Sequence, residues 1–278
     1  MFKKFYEKYA PEEQEVIVLV RNCLGAGYNS GFWEMTAISL GMVFCDTGKV
    51  KIQEGRLKWP VTEKEKNKGK AWKKFKKGQI CRIKVRKLLD DQAPAHMDPE
   101  KFNCWCVTKI LKSKASCPQL EAVLEEYSRP VVIEDKILGT LTLNRELNIF
   151  ETSLWWNKEE ISLMLEIDSE KRSSWDAVFT AAKAMVMGQE SWETAMRAFA
   201  ARELTELAND WLEDDDENQE SAGITEESFS KRITLSELSI GSGGSFTAYY
   251  NDDDMFWGHA VQVCGSLEEG PTTADIVG

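Results

Sequence analysis

Hydrophobic positions along the chain change period twice. EVIVLVRN, Glu15–Asn22, is a β-branched run of strand length, and FWEMTAISLGMVF after Gly31 lacks a helical repeat, so both read as strands. GAGYNSG, Gly25 to Gly31, lies between them and reads as a loop using glycine's freedom at positive φ. A further strand is expected over residues 49–59, ending at Trp59-Pro60, and another over Gln79–Leu88. Alternation in the latter turns Cys81, Ile83 and Val85 inward and Ile80, Arg82, Lys84 and Arg86 outward. Phe102–Leu111 is a strand with Cys104 and Cys106 on one face, and Pro118–Tyr127 a short helix with a stripe of Leu120, Val123 and Leu124. After a short polar lead-in, residues 1–128 therefore read as a mostly-β domain, a small barrel or curled sheet closed by a helix.

Arg129-Pro130 marks a boundary, because the residue before proline is biased out of helix. In residues 129–278 short strands come first, at 131–134, 139–143 and 149–156, followed by clean alternation of Ile161, Leu163, Leu165 and Ile167. The period then becomes helical: Trp175, Val178, Phe179, Ala182 and Met185 form one stripe, and Trp192 to Leu212 a second, with Ser191 as its expected N-cap. Thr225 is placed to cap a third helix carrying Phe229 and Ile233. Strands return at 235–240, 245–250, 255–264 and 273–277. Strands, helices, strands spell an α+β domain, an antiparallel sheet packed by two to three helices.

Composition narrows the class without naming an activity. The chain has 278 residues, 42% hydrophobic and 29% charged, which suits a globular protein and not a disordered or fibrous one. No apolar run approaches the roughly 18 residues that span a bilayer, and the lysines of the N-terminus are not followed by an apolar core. A cytoplasmic protein with no membrane partner is expected. Seven cysteines, odd in number and scattered, fit reduced thiols better than a disulfide framework.

The net charge of −11 conceals a division. Residues 1–128 hold 24 Lys and Arg against 16 Asp and Glu, a net of +8, leaving 11 basic against 30 acidic residues and a net of −19 for the remainder. Such asymmetry gives the two domains different surfaces. The acidic one would repel phosphates and attract a basic protein.

Three stretches concentrate chemistry. Arg56–Lys87 has fourteen basic residues against Glu63 and Glu65, with Trp59, Trp72 and Phe75 interleaved. Aromatics within a cationic groove are how single strands are held, so Trp72, Lys73, Lys74, Phe75, Arg82, Lys84 and Arg86 are candidate nucleic-acid contacts. Glu213–Glu220 (EDDDENQE) is an acidic run after a helix, read as a solvated loop, since its spacing misses the calcium-loop pattern. Phe246–His259 (FTAYYNDDDMFWGH) reads as a hairpin with Asn251–Asp254 at its tip. Alternation places Trp257 and His259 with Val261 and Val263 on one face, which makes Trp257 a core aromatic pinning helices to the sheet. Tyr250, Asp252, Asp253, Asp254, Trp257 and His259 are the candidate binding surface; the aspartates with His259 could also serve a metal-dependent enzyme.

Missing motifs weigh against chemistry. Gly25-x-Gly27 has Ser30 where a dinucleotide fingerprint needs its third glycine, and no helix follows. Cys104 and Cys106 have no second Cys/His pair at zinc spacing, GSGGS at 241–245 has no Gly-Lys-Ser/Thr after it, and there is no G-x-S-x-G or H-E-x-x-H. No cofactor and no metal are expected, and a binding role is favoured over an enzyme.

ELTELANDWLEDDDE, ITEESFSKRITLSELSI, FTAYYNDDDMFWGH and the terminal ADIVG resemble a bacterial family known as domain of unknown function 2262 over roughly residues 130–278. Residues 1–128, with FKKGQICRIKVRKLL, look like the N-terminal domain that accompanies it. The resemblance carries no catalytic or binding residue. By architecture the family is also similar to sheet-and-helix proteins found beside secreted bacterial toxins, some of them immunity proteins, which is an analogy of fold. The expected function is non-enzymatic protein binding, the acidic domain engaging a basic partner. Single-stranded nucleic-acid binding through Arg56–Lys87 and a metal-dependent enzyme at Asp252–His259 stand as alternatives.

Overall fold

The computed structural model describes residues 2–29, 31–69, 71–168, 172–213 and 223–278. The chain divides into two compact units, Met1–Arg129 and Pro130–Gly278. The first contains α1 (Lys3–Tyr6), β1 (Gln14–Asn29), β2 (Phe32–Phe44), β3 (Val50–Lys51), β4 (Gly55–Val61), α2 (Glu63–Asn67), β5 (Ile80–Lys87), α3 (Pro99–Phe102), β6 (Cys104–Lys112) and α4 (Pro118–Ser128). Neighbouring strands run β1-β5-β6-β4-β2, and β1 also pairs with β2, so five strands close on themselves while β3 lies along the end of β2. β4 and β6 run parallel; the other pairs are antiparallel. This is the connectivity of a five-stranded Greek-key barrel of the OB type. Its interior is filled by Val16, Val18, Met35, Leu57, Ile83 and Trp105, among others.

Two local expectations in this unit are corrected. Gly25–Gly31 is not a connecting loop, because β1 continues to Asn29. Register shifts between Leu19 and Val20, Val20 and Asn22, and Cys23 and Gly25 bend the strand, and Gly25, at φ 151°, accepts a backbone that a side chain would resist. The lead-in is not merely polar either. Phe5 and Tyr9 are buried in a cluster with Phe32, Cys104 and Cys106. Those cysteines alternate with Trp105 and Val107, which face the interior, so the lead-in covers the outside of the barrel wall.

The second unit contains β7 (Val132–Asp135), β8 (Gly139–Asn144), β9 (Ile149–Trp156), β10 (Glu159–Glu166), α5 (Asp176–Met187), α6 (Gln189–Glu213), α7 (Glu226–Arg232), β11 (Thr234–Ile240), β12 (Ser245–Asn251), β13 (Ala260–Ser266) and β14 (Gly270–Val277). The eight strands lie in sequence order from β7 to β14. Neighbours are antiparallel except β10 and β11, which are parallel because the helices form the crossover between them. The helices pack on one face, where Phe150, Leu163, Leu238 and Val261 meet Val178 and Met185 of α5, Met196 and Leu204 of α6 and Phe229 of α7. Thr225 caps α7 as expected, accepting from Ser228 N–H at 3.1 Å. Ser191 is not an N-cap: α6 restarts at Gln189, directly after Gly188 ends α5, and Ser191 lies inside it. Of the acidic run, Glu213 is the last residue of α6, and Asp214–Glu220 lie outside the described residues. Among the described residues no helix is long and apolar enough to cross a membrane.

Candidate functional site

The turn between β12 and β13 is organised by one carboxylate. Asp252 is only 5% exposed, and its Oδ2 accepts from Phe256 N–H at 2.7 Å and Gly258 N–H at 3.3 Å, while Oδ1 accepts from Asp254 N–H at 3.2 Å. Backbone donors that would otherwise extend a strand are drawn inward to this side chain, which is the local bonding that lets Asp compete with regular structure. The chain curls as a result: Asp253, Asp254, Trp257 and Gly258 sit at φ of 50°, 64°, 55° and 84°. The strand expected from Met255 therefore begins only at Ala260.

Losing that strand reverses the aromatic assignment. Phe256 is fully buried, with its ring centroid 5.6 Å from Trp211 and 6.1 Å from Phe229. Trp257, expected in the core, is 59% exposed, its ring 4.7 Å from Trp211. His259, half-buried, meets Trp211 edge-on at 5.7 Å and does not share a core face with Val261 and Val263. Asp253 binds Arg232 at the end of α7, its Oδ2 accepting from Nε at 2.7 Å and its carbonyl from Nη2 at 2.6 Å. Asp254 is exposed.

Tyr250 belongs to no surface. It is fully buried, its hydroxyl 3.5 Å from Glu193 Oε2. Burial, and then the Glu193 charge, push the phenol well above its ordinary pKa. Glu193 also accepts from Trp156 Nε1 at 2.7 Å and pairs with Arg197, whose Nη1 donates to the Ser230 carbonyl at 2.8 Å. This network joins α6 to β9, β12 and α7. Sequence reasoning passed over it, though Glu193 and Arg197 at i, i+4 beside buried Met196 and Ala200 are the signal that could have found it.

The basic block is likewise rearranged. Phe75 and Trp59 lie in the barrel interior, 3% and 2% exposed, so neither offers a ring to a base. Trp72 is 44% exposed and Lys73 is exposed beside it. The ammonium of Lys74 lies 5.0 Å from the Trp59 ring, and burial holds its pKa below the usual lysine range. On β5 the alternation is as expected, with Cys81, Ile83 and Val85 buried. Its outward cations meet carboxylates: Arg82 pairs with Glu15, and Lys84 and Arg86 with Glu13 at 3.2 and 3.7 Å. Hydrogen bonds from Thr108 and Lys84 hold the Glu13 carboxyl below its ordinary range. Burial pushes the Cys104 and Cys106 thiols up to about 11 and about 12, so they remain protonated packing groups. Among the described residues no group of three or more His, Cys, Asp or Glu is placed to hold a metal ion.

A family model described as an uncharacterised protein conserved in bacteria, domain of unknown function 2262, matches residues 135–276. The chain belongs to this family. The match runs from the end of β7 to near the end of β14 and includes the Asp252 turn. A second model, domain of unknown function 7021, matches residues 1–127, the extent of the OB-type barrel and α4. No curated protein matches the chain. In the 2262-type domain the exposed ring of Trp257 packs on Trp211, and Asp254, Asp210 and Glu213, near these two in sequence, are exposed.

Proposed function

We propose that the chain is a non-enzymatic protein-binding module whose acidic 2262-type domain engages a Lys- or Arg-rich segment of a partner protein, with Trp257 as the anchor. The observation that carries this reading is the presentation of Trp257. A large aromatic is held at positive φ, outside the core, in a turn that a buried carboxylate fixes. Backbone strain of this kind costs of order 1–3 kcal/mol per residue and persists where the surroundings impose it, which marks functional turns. Tryptophan and arginine lead among residues that carry binding energy. A cation over the Trp257 face would gain attraction from the ring quadrupole. Glu206, Asp210 and Glu213 recur along the exposed side of α6 at helical spacing, and with Asp254 they supply a field that draws basic segments. The net charge of the whole domain, −19 over residues 129–278, acts in the same direction.

Titration of the full chain with an arginine-rich peptide, followed by tryptophan fluorescence, tests the proposal. Saturable binding that weakens with salt is expected, and Trp257→Ala should reduce affinity by about tenfold or more, as loss of an anchor does. Trp155→Ala removes another exposed tryptophan, on β9, and should leave affinity unchanged. Equal affinity in Trp257→Ala and the parent chain, or binding indifferent to salt, overturns it.

A further inference from the structure

Four of the lysines between α2 and β5, together with the chain after β6, enclose a second feature. Lys73, Lys74, Lys76 and Lys77 face Lys114, flanked by Ser113 and Ala115, around a cavity of about 580 Å³. Among the described residues no carboxylate lines it. The volume lies in the range of small-ligand sites, about 300–1,000 Å³. Lys73, Lys76 and Lys114 make no ion pair among the described residues, unlike the paired row on β5. An anion seated among Lys73, Lys76 and Lys114 supplies the counter-charge that these three lack among the described residues.

The walls are braced. Gln79 Oε1 accepts from Lys76 N–H at 2.8 Å, its Nε2 donates to the Ser113 carbonyl at 2.6 Å, and Ala115 N–H donates to the Ile80 carbonyl at 2.9 Å. Gly78, at φ 70°, makes the turn between them, its N–H on the Val20 carbonyl at 2.9 Å. The two lysine-bearing segments are thus held at a fixed spacing, which lowers the ordering cost of binding.

An extended single strand fits less well. Two of the three aromatics in the basic block are in the core, and Trp72 does not line the cavity. OB barrels take oligonucleotides on an open face of the wall, and here the lead-in residues Phe5 and Tyr9 cover wall positions beside Phe32, Cys104 and Cys106. We infer that this cavity binds a compact oligophosphate, the triphosphate chain common to inorganic tripolyphosphate and nucleoside triphosphates.

Calorimetric titration of the full chain with sodium tripolyphosphate, ATP and a thymidine oligonucleotide tests the inference. Tripolyphosphate is expected to bind saturably, and Lys76→Glu with Lys114→Glu to weaken it by about tenfold or more, since charge-assisted contacts to phosphate are lost and replaced by repulsion. Both positions are on the surface, and Lys76→Ala with Lys114→Ala gives a milder version of the same loss should the reversal disturb folding. Lys49→Glu with Lys101→Glu, on a separate basic cavity that includes Asp98, should leave affinity unchanged. ATP matching tripolyphosphate means that phosphates alone are read; tighter ATP binding adds a base contact to the same site. Absence of saturable tripolyphosphate binding overturns the inference, as does equal loss in the Lys49/Lys101 variant. Oligonucleotide binding that exceeds tripolyphosphate and is lost in Trp72→Ala also overturns it, in favour of a strand-binding surface.

Discussion

The Asp252–His259 turn and the Lys64–Lys77 segment are alike in composition and opposite in construction. Each mixes aromatics with a run of one charge. In the turn, a carboxylate goes inside and a tryptophan outside, because Asp252 takes up the backbone donors of Asp254, Phe256 and Gly258. In the lysine segment, Phe75 goes inside while Lys73, Lys76 and Lys77 are exposed, and Lys66 and Lys74 lie over the Trp33 and Trp59 rings. The difference teaches that aromatic density marks a place where the chain leaves regular structure, not which groups meet water. What decides is where the backbone hydrogen bonds go.

The largest expected effect sets Phe256 against its neighbour. Phe256→Ala should cost about 3–5 kcal/mol in denaturant unfolding, as large core aromatics do. Trp257→Ala should stay within about 1 kcal/mol, because it removes a surface ring that touches Trp211. Equal costs for the two would return Trp257 to the core and dissolve the contrast. Next comes Asp252→Ala, which leaves buried N–H groups without an acceptor and should cost about 2–3 kcal/mol. The same substitution at exposed Asp254 is expected to be nearly silent, and a thermal melt of each reads the difference.

Lys74 tests the basic side. Its folded pKa lies below the unfolded value of a lysine, so the unfolded chain binds more protons between the two, and stability rises with pH through that window. Lys74→Met should therefore raise stability at neutral pH by about 0.5–1 kcal/mol and flatten the alkaline rise. A variant less stable than the parent at neutral pH would show that the ammonium is favourably held instead. The smallest effect belongs to Glu13. Its folded pKa is depressed, so its contribution is present above the ordinary carboxylate pKa and is lost as pH falls through the depressed value. Glu13→Gln should cost at most about 0.5 kcal/mol, given the exposure of its pairs with Lys84 and Arg86, and that cost should shrink in acid and in high salt.

Much of the fold was legible where period and burial coincide. Cys81, Ile83 and Val85 alternate inward as read, β9 occupies Ile149–Trp156 as read, and the switch from strands to helices and back gave the α+β class. Legibility failed where a side chain replaces the ladder as the partner of the backbone. Alternation would carry Trp257 inward with Val261, but it assumes an extended chain that Asp252 prevents. The glycines at 25 and 27 looked like a loop because a bulged strand and a turn use the same residue for the same freedom. The Glu193–Arg197 network was hidden because its partners, Trp156, Tyr250 and Ser230, are distant in sequence, and pattern reading sees only neighbours.

The parallel seam between β10 and β11 has a consequence for how the second domain is assembled. On either side of it, four strands pair with sequence neighbours through short turns, so each half can zip up from local contacts. The seam itself, where Leu163 stands opposite Leu238, closes only after all three helices have been threaded across. Loop-closure entropy falls on that one step, which makes it the natural bottleneck of folding. A nascent chain released before β11 would carry a finished meander with an open edge at β10, ready to pair with another copy.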